Sequence, residues 1–224
     1  MKILFFIEAL GFGGKERRLM ELIHYLKRNT DYELAIVLTE DRVHYNQVYE
    51  MGIPIKIIKR INLKRDPLVF KTFYKYCKEF SPDIIHTWGF MTTFYTIPAK
   101  VGLGIPLISS MITVARREFK EFSLNGLFFK LSCLFADAII SNSEAGLKAF
   151  KVKSKKAKVI YNGVRPDRFG AGIKGEDVRE SFGINTSFIV VMVATFSRFK
   201  DYDLFLDVAN EIRKIRRDIT FLGV

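Results

Sequence analysis

A glycine-rich turn near the start of the chain is the segment best suited to bind an anion. Gly11, Gly13 and Gly14 follow an apolar run at residues 3–7 and precede a helical pattern that begins near Lys15. Glycine lets the backbone approach a ligand closely, and the first amides of a helix have no partners within it. A tight turn that binds nothing has the same composition, but the placement after a strand favours phosphate or sugar binding.

A nicotinamide dinucleotide is the alternative ligand for such a turn. The dinucleotide fingerprint has a third glycine near position 16, where this chain has Glu16. The Glu16 carboxylate would lie close to the pyrophosphate and repel it. An NAD(P)-binding enzyme therefore stays open as a weaker alternative.

Two further residues could contact a ligand. His86 and Trp88 lie at the predicted carboxyl end of a fourth apolar run, where they would face the cleft. A structural histidine that holds the loop in place is the alternative interpretation of His86.

Metal-dependent and nucleophilic chemistry lack the residues that they need. The three histidines are scattered, and the two cysteines lie among apolar residues as reduced core thiols do. Asp201-Tyr202-Asp203 has a metal-binding spacing, but it stands at a predicted helix start, where aspartate caps backbone amides. Ser143 is predicted to cap another helix in the same way. We therefore predict no metal site and no serine nucleophile.

Strands and helices alternate through nearly the whole chain. Apolar runs typical of buried strands lie at residues 3–7, 34–38, 55–58, 84–87, 107–112, 138–141 and 159–161. Helices are predicted at residues 15–28, 67–80, 123–136 and 143–150. This order predicts an α/β fold with a Rossmann-like, doubly wound parallel sheet.

A domain boundary is predicted after the seventh run. Asn162-Gly163 is a turn signal, and Arg165-Pro166 cannot continue a strand. A strand, a helix and a strand then follow at residues 188–194, 202–216 and 219–222. We predict one domain over residues 1–165, and a linker with an incomplete second domain over residues 166–224, because one βαβ unit has too small a core.

Composition and charge narrow the classes of protein. The 224 residues are 27% charged and 49% apolar, which predicts an ordinary folded core. No secretory signal and no apolar run of roughly 20 residues is present, so we predict a cytoplasmic protein. The formal net charge of +12 favours anionic partners. Since no nucleic-acid-binding motif is present, phosphorylated ligands and an anionic membrane surface are favoured over nucleic acid.

Six motifs, in order, resemble glycosyltransferase family 4. They are Gly13-Gly14-Lys15-Glu16-Arg17, Asp83-Ile84-Ile85-His86, and the segments at residues 137–143, 159–164, 165–169 and 193–209. The resemblance spans the whole chain. It implies the GT-B fold, in which two Rossmann-like domains face each other, with an N-terminal acceptor-side domain and a C-terminal donor domain that is cut short.

The resemblance also implies a reaction. A family 4 enzyme moves a sugar, with retention at the anomeric carbon, from a nucleotide-diphosphate-sugar donor to a glycan or lipid-linked acceptor in polysaccharide or glycoconjugate biosynthesis, with no metal or cofactor. We place the donor phosphates at Gly13, Gly14 and Lys200, and the acceptor among His86, Trp88 and Arg116. With a lipid-linked acceptor, the enzyme would work at the inner face of the membrane.

The chain departs from the family pattern at three places. Thr195 stands where an arginine is usual, no histidine follows the fifth strand, and the glutamate pair of the donor domain is absent before Val224. These departures leave a second hypothesis open, in which the chain is a catalytically inert fragment or a binding module.

Overall fold

The computed structural model of the protein describes residues 1–60, 66–111, 122–163, 175–197 and 200–224. The chain divides into two units, Met1–Gly163 and Val164–Val224. The predicted boundary at residues 165 and 166 lies outside the described residues.

The first unit contains one parallel sheet. Its strands are β1 (Lys2–Ile7), β2 (Glu33–Leu38), β3 (Ile55–Ile57), β4 (Ile84–Trp88), β5 (Leu107–Met111), β6 (Ala138–Ser141) and β7 (Ala157–Val159). Its helices are α1 (Gly14–Asn29), α2 (Gln47–Glu50), α3 (Leu68–Phe80), α4 (Phe90–Leu103), α5 (Leu124–Phe135) and α6 (Glu144–Ala149). The strand order is β3-β2-β1-β4-β5-β6-β7, and each neighbouring pair is parallel. The predicted Rossmann-like, doubly wound sheet is confirmed.

The order of the strands determines which face each helix covers. From β1 the chain proceeds outward to β3, then crosses back to β4 and continues the other way to β7. Because such connections are right-handed, α1 and α2 lie on one face and α3 to α6 on the other. Side chains of β1 alternate accordingly: Phe5 packs in one core cluster with Leu19 of α1, whereas Phe6 stacks on Phe73 of α3 at 4.7 Å between ring centroids. On the α1 face, β4 to β6 therefore have no helix of their own among the described residues.

Two aspartates of the sequence motifs hold neighbouring strands in register. Asp83 precedes β4, and its Oδ2 accepts a hydrogen bond of 2.7 Å from the amide of Lys2 in β1. Asp137 precedes β6, and its Oδ2 accepts from the amide of Leu107 in β5 at 2.7 Å and from Lys100 Nζ at 2.5 Å. Burial alone would raise the pKa of Asp137, but the hydrogen bonds from Lys100 and Leu107 outweigh it and lower the pKa. Both motif aspartates thus have a structural role.

The second unit contains one βαβ arrangement. Among the described residues of this unit, α7 (Gly175–Ser181) comes first, and the βαβ arrangement consists of β8 (Phe188–Met192), α8 (Tyr202–Ile215) and β9 (Ile219–Gly223). β8 pairs with β9 in parallel. Asp201 caps α8 through a hydrogen bond of 3.4 Å from the Leu204 amide, which confirms the capping interpretation. Ser143 caps α6 in the first unit, accepting from the Gly146 amide at 3.0 Å, as predicted.

The bounds of the seventh strand and the presence of α4 differ from the sequence-based expectation. The seventh strand covers Ala157–Val159, two residues earlier than the predicted 159–161. Helix α4 was not singled out, because Lys100 is its only charged residue and Pro98 lies inside it. Its threonines at positions 92, 93 and 96 are buried, so the helix lacks the polar outer stripe that identifies a surface helix.

Candidate functional site

The crevice at the carboxyl edge of the sheet lies between β1 and β4, where the direction of strand addition reverses. Glu8 follows β1 and Gly89 follows β4. Gly89 has a φ of 139°, and a Cβ there would lie 2.8 Å from Glu8 Oε1. The Glu8 carboxylate therefore packs against the backbone of Gly89 and occupies the space between the two strand ends.

The glycine turn leads directly from this crevice into α1. The Gly13 amide donates a hydrogen bond of 2.9 Å to the Gly11 carbonyl, and the Gly13 carbonyl accepts from the Arg17 amide at 3.0 Å. No side chain caps α1. Gly14, the first residue of α1, is exposed, and a Cβ there would meet nothing within 4 Å. Of the two predicted glycines, Gly14 is the one that an anion can reach directly.

Charged side chains surround the turn. Lys15 Nζ lies 2.5 Å from Glu8 Oε2 and 4.0 Å from Glu16 Oε1. A Cβ on Gly13 would collide with Glu16 Oε2, so the Glu16 carboxylate covers Gly13. A phosphate that contacts Gly13 must first displace this carboxylate, because the two negative groups would repel each other at close range.

Glu8, Lys15 and Glu16 were not among the predicted site residues. The sequence does place Glu8 and Glu16 on either side of the glycines, which is the signal that could have identified the two carboxylates. The side chains of the turn define a site with one cation, two carboxylates and the open N-terminus of a helix. The arrangement has the groups needed to bind an anion, provided that Lys15 gives up its ion pair with Glu8 and pairs with the ligand.

A groove of about 460 Å³ lies beside α1, on the half of the sheet face that no described helix covers. Its lining includes apolar residues from β1, α1, β4, β5 and β6: Ile3, Phe5, Leu22, Leu26, Ile84, Ile108 and Ile140. Arg18, Ser110 and Asn162 are polar members of the lining. Arg18 donates a hydrogen bond to the Gly163 carbonyl, which ties α1 to the last residues of the first unit.

His86 and Trp88 both line this groove, with 5.2 Å between their ring centroids. His86 is the third residue of β4, whereas the sequence predicted it at the carboxyl end of that strand. It is only 8% exposed, and its Nε2 lies 2.7 Å from Ser110 Oγ. Burial lowers the pKa of His86 to about 4, so the imidazole is neutral at pH 7. In this position the histidine links β4 to β5.

The other two predicted site residues, Lys200 and Arg116, are not among the described residues of the first unit. Lys200 is exposed and precedes α8 in the second unit, where its amide donates to the Ser197 carbonyl at 2.9 Å. Arg116 lies outside the described residues. The grouping of Lys200 with Gly13 and Gly14, and of Arg116 with His86 and Trp88, stays a prediction.

The described residues contain neither a metal-binding cluster nor a helix that could cross a membrane. No group of three or more His, Cys, Asp or Glu side chains could hold a metal ion there. In the same part of the chain, every helix is too short or too polar to cross a bilayer.

Comparison with protein families identifies the family of this chain. The model of Glycosyltransferase Family 4 matches residues 12–168, well over half of the 224 residues. The chain belongs to glycosyltransferase family 4. The matched segment includes Gly13 and Gly14 of the glycine turn, β4 with His86 and Trp88, and the other strands of the sheet except β1. Among curated proteins, nothing matches this family 4 glycosyltransferase.

Solved structures share the fold of this family 4 glycosyltransferase. HepE from Anabaena, in complex with UDP and glucose, superposes with a TM-score of 0.71 at 21% identity, covering 100% of this chain and 69% of that one. A glycosyltransferase from Rickettsia africae gives 0.66 at 18% identity, covering 99% and 68%. A UDP-GlcNAc 2-epimerase from Methanocaldococcus jannaschii gives 0.63 at 14% identity, covering 100% and 65%. At such identities the likeness establishes the fold alone.

Proposed function

We propose that this family 4 glycosyltransferase moves a sugar from a nucleotide-diphosphate-sugar donor to a glycan or lipid-linked acceptor, with retention of configuration, in polysaccharide or glycoconjugate biosynthesis. The family match over residues 12–168 is the observation that carries the proposal. The complex of HepE with UDP and glucose supports a nucleotide-sugar donor.

The diphosphate of the donor binds at the N-terminus of α1. Gly14 is exposed there, and the uncapped first amides of α1 form the positive end of the helix dipole. Lys15 supplies cationic charge, and the backbone of Gly13 contacts the phosphates once the Glu16 carboxylate moves away. The part of Lys200 in phosphate binding stays a prediction from the sequence. Backbone amides held in place stabilise the negative charge that develops on the leaving diphosphate. The proposal includes neither a metal nor another cofactor.

His86, Trp88 and Arg116 lie on the acceptor side. Since the imidazole of His86 is buried and bonded to Ser110, with a pKa of about 4, it is a poor general base at neutral pH. We assign His86 a positioning role, in which it orients Ser110 and the Trp88 ring in the wall of the groove.

A peripheral position at the inner face of the membrane is part of the proposal. The chain has a formal net charge of +12, and the four lysines at positions 151, 153, 155 and 156 are exposed between α6 and β7. Such a run is attracted to anionic lipid headgroups and would bring the enzyme to a lipid-linked acceptor.

Titration calorimetry with UDP, GDP and ADP, beside fluorescence titration with NADH, tests the proposed function on the 224-residue chain. One nucleoside diphosphate is expected to bind with a Kd of about 1 mM or tighter, while NADH fluorescence stays unchanged. Binding of NADH would instead support a dinucleotide enzyme. If none of the three diphosphates produces heat of binding, the chain is an inert module.

A further inference from the structure

An aromatic side chain projects from the glycine turn. Phe12 is 77% exposed, although it has a large apolar surface. Its ring lies 4.3 Å from the ring of His44 and 6.5 Å from the ring of Tyr45, centroid to centroid. His44 is exposed and Tyr45 half-buried, so the three rings form an aromatic cluster that is open to solvent. An exposed aromatic cluster of this kind is a candidate site for binding a ligand or partner.

Backbone hydrogen bonds hold this aromatic cluster in place. Leu10 and Val43 form an isolated parallel bridge, in which the Leu10 amide donates to the Arg42 carbonyl at 2.9 Å. The His44 amide donates to the Leu10 carbonyl at 2.8 Å. Phe12 and His44 therefore come from two segments that are already paired, and little ordering is needed when a ligand binds.

Charged planar side chains come from the segment that precedes His44 and from Arg60. The Glu40 carboxylate accepts hydrogen bonds from the Arg42 guanidinium at 2.8 Å and from the Arg60 guanidinium at 2.6 Å. Arg42 Cζ lies 3.9 Å from the position of a Cβ on Gly11, directly before Phe12. Guanidinium and carboxylate groups offer donors and acceptors in a fixed plane.

We propose that Phe12, His44 and Tyr45 form a platform that binds the face of a sugar ring. A sugar has an apolar face of C–H groups and a rim of hydroxyls, which match an open aromatic face and a rim of charged planar groups respectively. Arg42 and Glu40 bind the hydroxyls. Assigning this sugar to a substrate of the transfer reaction rests on the proposed function.

The platform lies close to the proposed phosphate site. Phe12 is two residues before Gly14 in the same turn, and His44 follows β2, on the side of β1 away from β4. The groove that His86 lines extends in the opposite direction, from β1 across β4, β5 and β6. A sugar on Phe12 is therefore next to the N-terminus of α1, where the donor diphosphate is proposed to bind.

Saturation-transfer NMR tests the platform, with the methyl glycosides of glucose, galactose, mannose and N-acetylglucosamine, and with uridine, as probes. We expect saturation of the ring C–H protons of at least one glycoside. Its affinity should fall by about fivefold or more in Phe12→Ala and in His44→Ala. Tyr25→Ala is the matched control: Tyr25 is 63% exposed on α1, 13 residues from Phe12, and its loss should leave binding unchanged.

Three results would overturn the platform. The first is no saturation transfer to any glycoside, and the second is equal saturation transfer in the wild type and in Phe12→Ala. The third is saturation transfer to uridine alone, which would assign the aromatic face to a nucleobase. The NMR assay contains no donor, so the calorimetric test of the proposed function can fail while glycoside binding persists, and the reverse. Because the Phe12 side chain is exposed, the alanine variant should fold like the wild type.

Discussion

Replacing Gly14 with aspartate should weaken the binding of a nucleoside diphosphate by more than tenfold without unfolding the protein. A Cβ at Gly14 meets no atom within 4 Å, and acidic residues in the first turn of a helix stabilise it by about 0.3–1 kcal/mol. The added carboxylate would occupy the open N-terminus of α1, and repulsion from a phosphate about 4 Å away costs about 4 kcal/mol near a protein surface. Calorimetry with UDP and a thermal melt measure both effects.

Two variants serve as controls for this result. Gly14→Asn has nearly the same size without the charge, and it should retain most of the affinity. Glu16→Gln removes a negative charge beside Gly13 and should tighten binding several-fold, because a phosphate then displaces a neutral amide. If Gly14→Asp binds UDP as tightly as the wild type, the diphosphate does not bind at the N-terminus of α1.

The first unit should lose about 2–3 kcal/mol of stability between pH 7 and pH 4.5 through His86. Its pKa of about 4 in the folded protein lies below the unfolded value of 6.5. Between these values the unfolded chain binds a proton that the folded protein does not, so stability rises with pH across this window. The contribution is fully present above pH 6.5 and is lost as the pH falls toward 4, at 1.36 kcal/mol per pKa unit.

Urea unfolding at several pH values, followed by tryptophan fluorescence, measures this dependence. Trp88 is the single tryptophan of the sequence and lies 5.2 Å from His86, so its fluorescence reports on the first unit. The double variant His86→Phe with Ser110→Ala removes the titrating group and leaves no unpaired hydroxyl. Between pH 7 and pH 4.5, this double variant should lose about 2–3 kcal/mol less of its free energy of unfolding than the wild type does.

The matched control is His24→Gln, since His24 is half-buried on α1 and outside the groove. This variant should keep the pH dependence of the wild type. An unchanged pH dependence in the double variant, or wild-type stability that is the same at pH 7 and pH 4.5, would show that His86 is not a buried neutral histidine.

The strands of the sheet could be predicted because burial on both faces leaves a continuous apolar run. The predicted strand at residues 138–141 coincides with β6 (Ala138–Ser141), and β2 differs from its prediction only by Glu33. The predicted position of β7 was wrong because Lys158, which is exposed on this edge strand, continues the neighbouring run of lysines and does not look like a strand residue. Helix α4 was not predicted because a helix that packs among others has no polar stripe to identify it.

The position of the glycine turn could be predicted, but the contacts within the site could not. The His86–Ser110 hydrogen bond joins residues 24 apart and depends on the pairing of β4 with β5. The contact of Phe12 with His44 depends in the same way on the bridge between Leu10 and Val43. That Glu16 covers Gly13 follows from the side-chain conformation, which sequence spacing does not determine.

A UDP titration of the ¹⁵N-labelled chain, followed by amide NMR, examines the α1 N-terminus itself. We predict that the amide signals of Gly14 and Lys15 show the greatest shifts and that these saturate with a single Kd. Shifts confined to other amides, with those of Gly14 and Lys15 unmoved at saturating UDP, would contradict a diphosphate site at the start of α1.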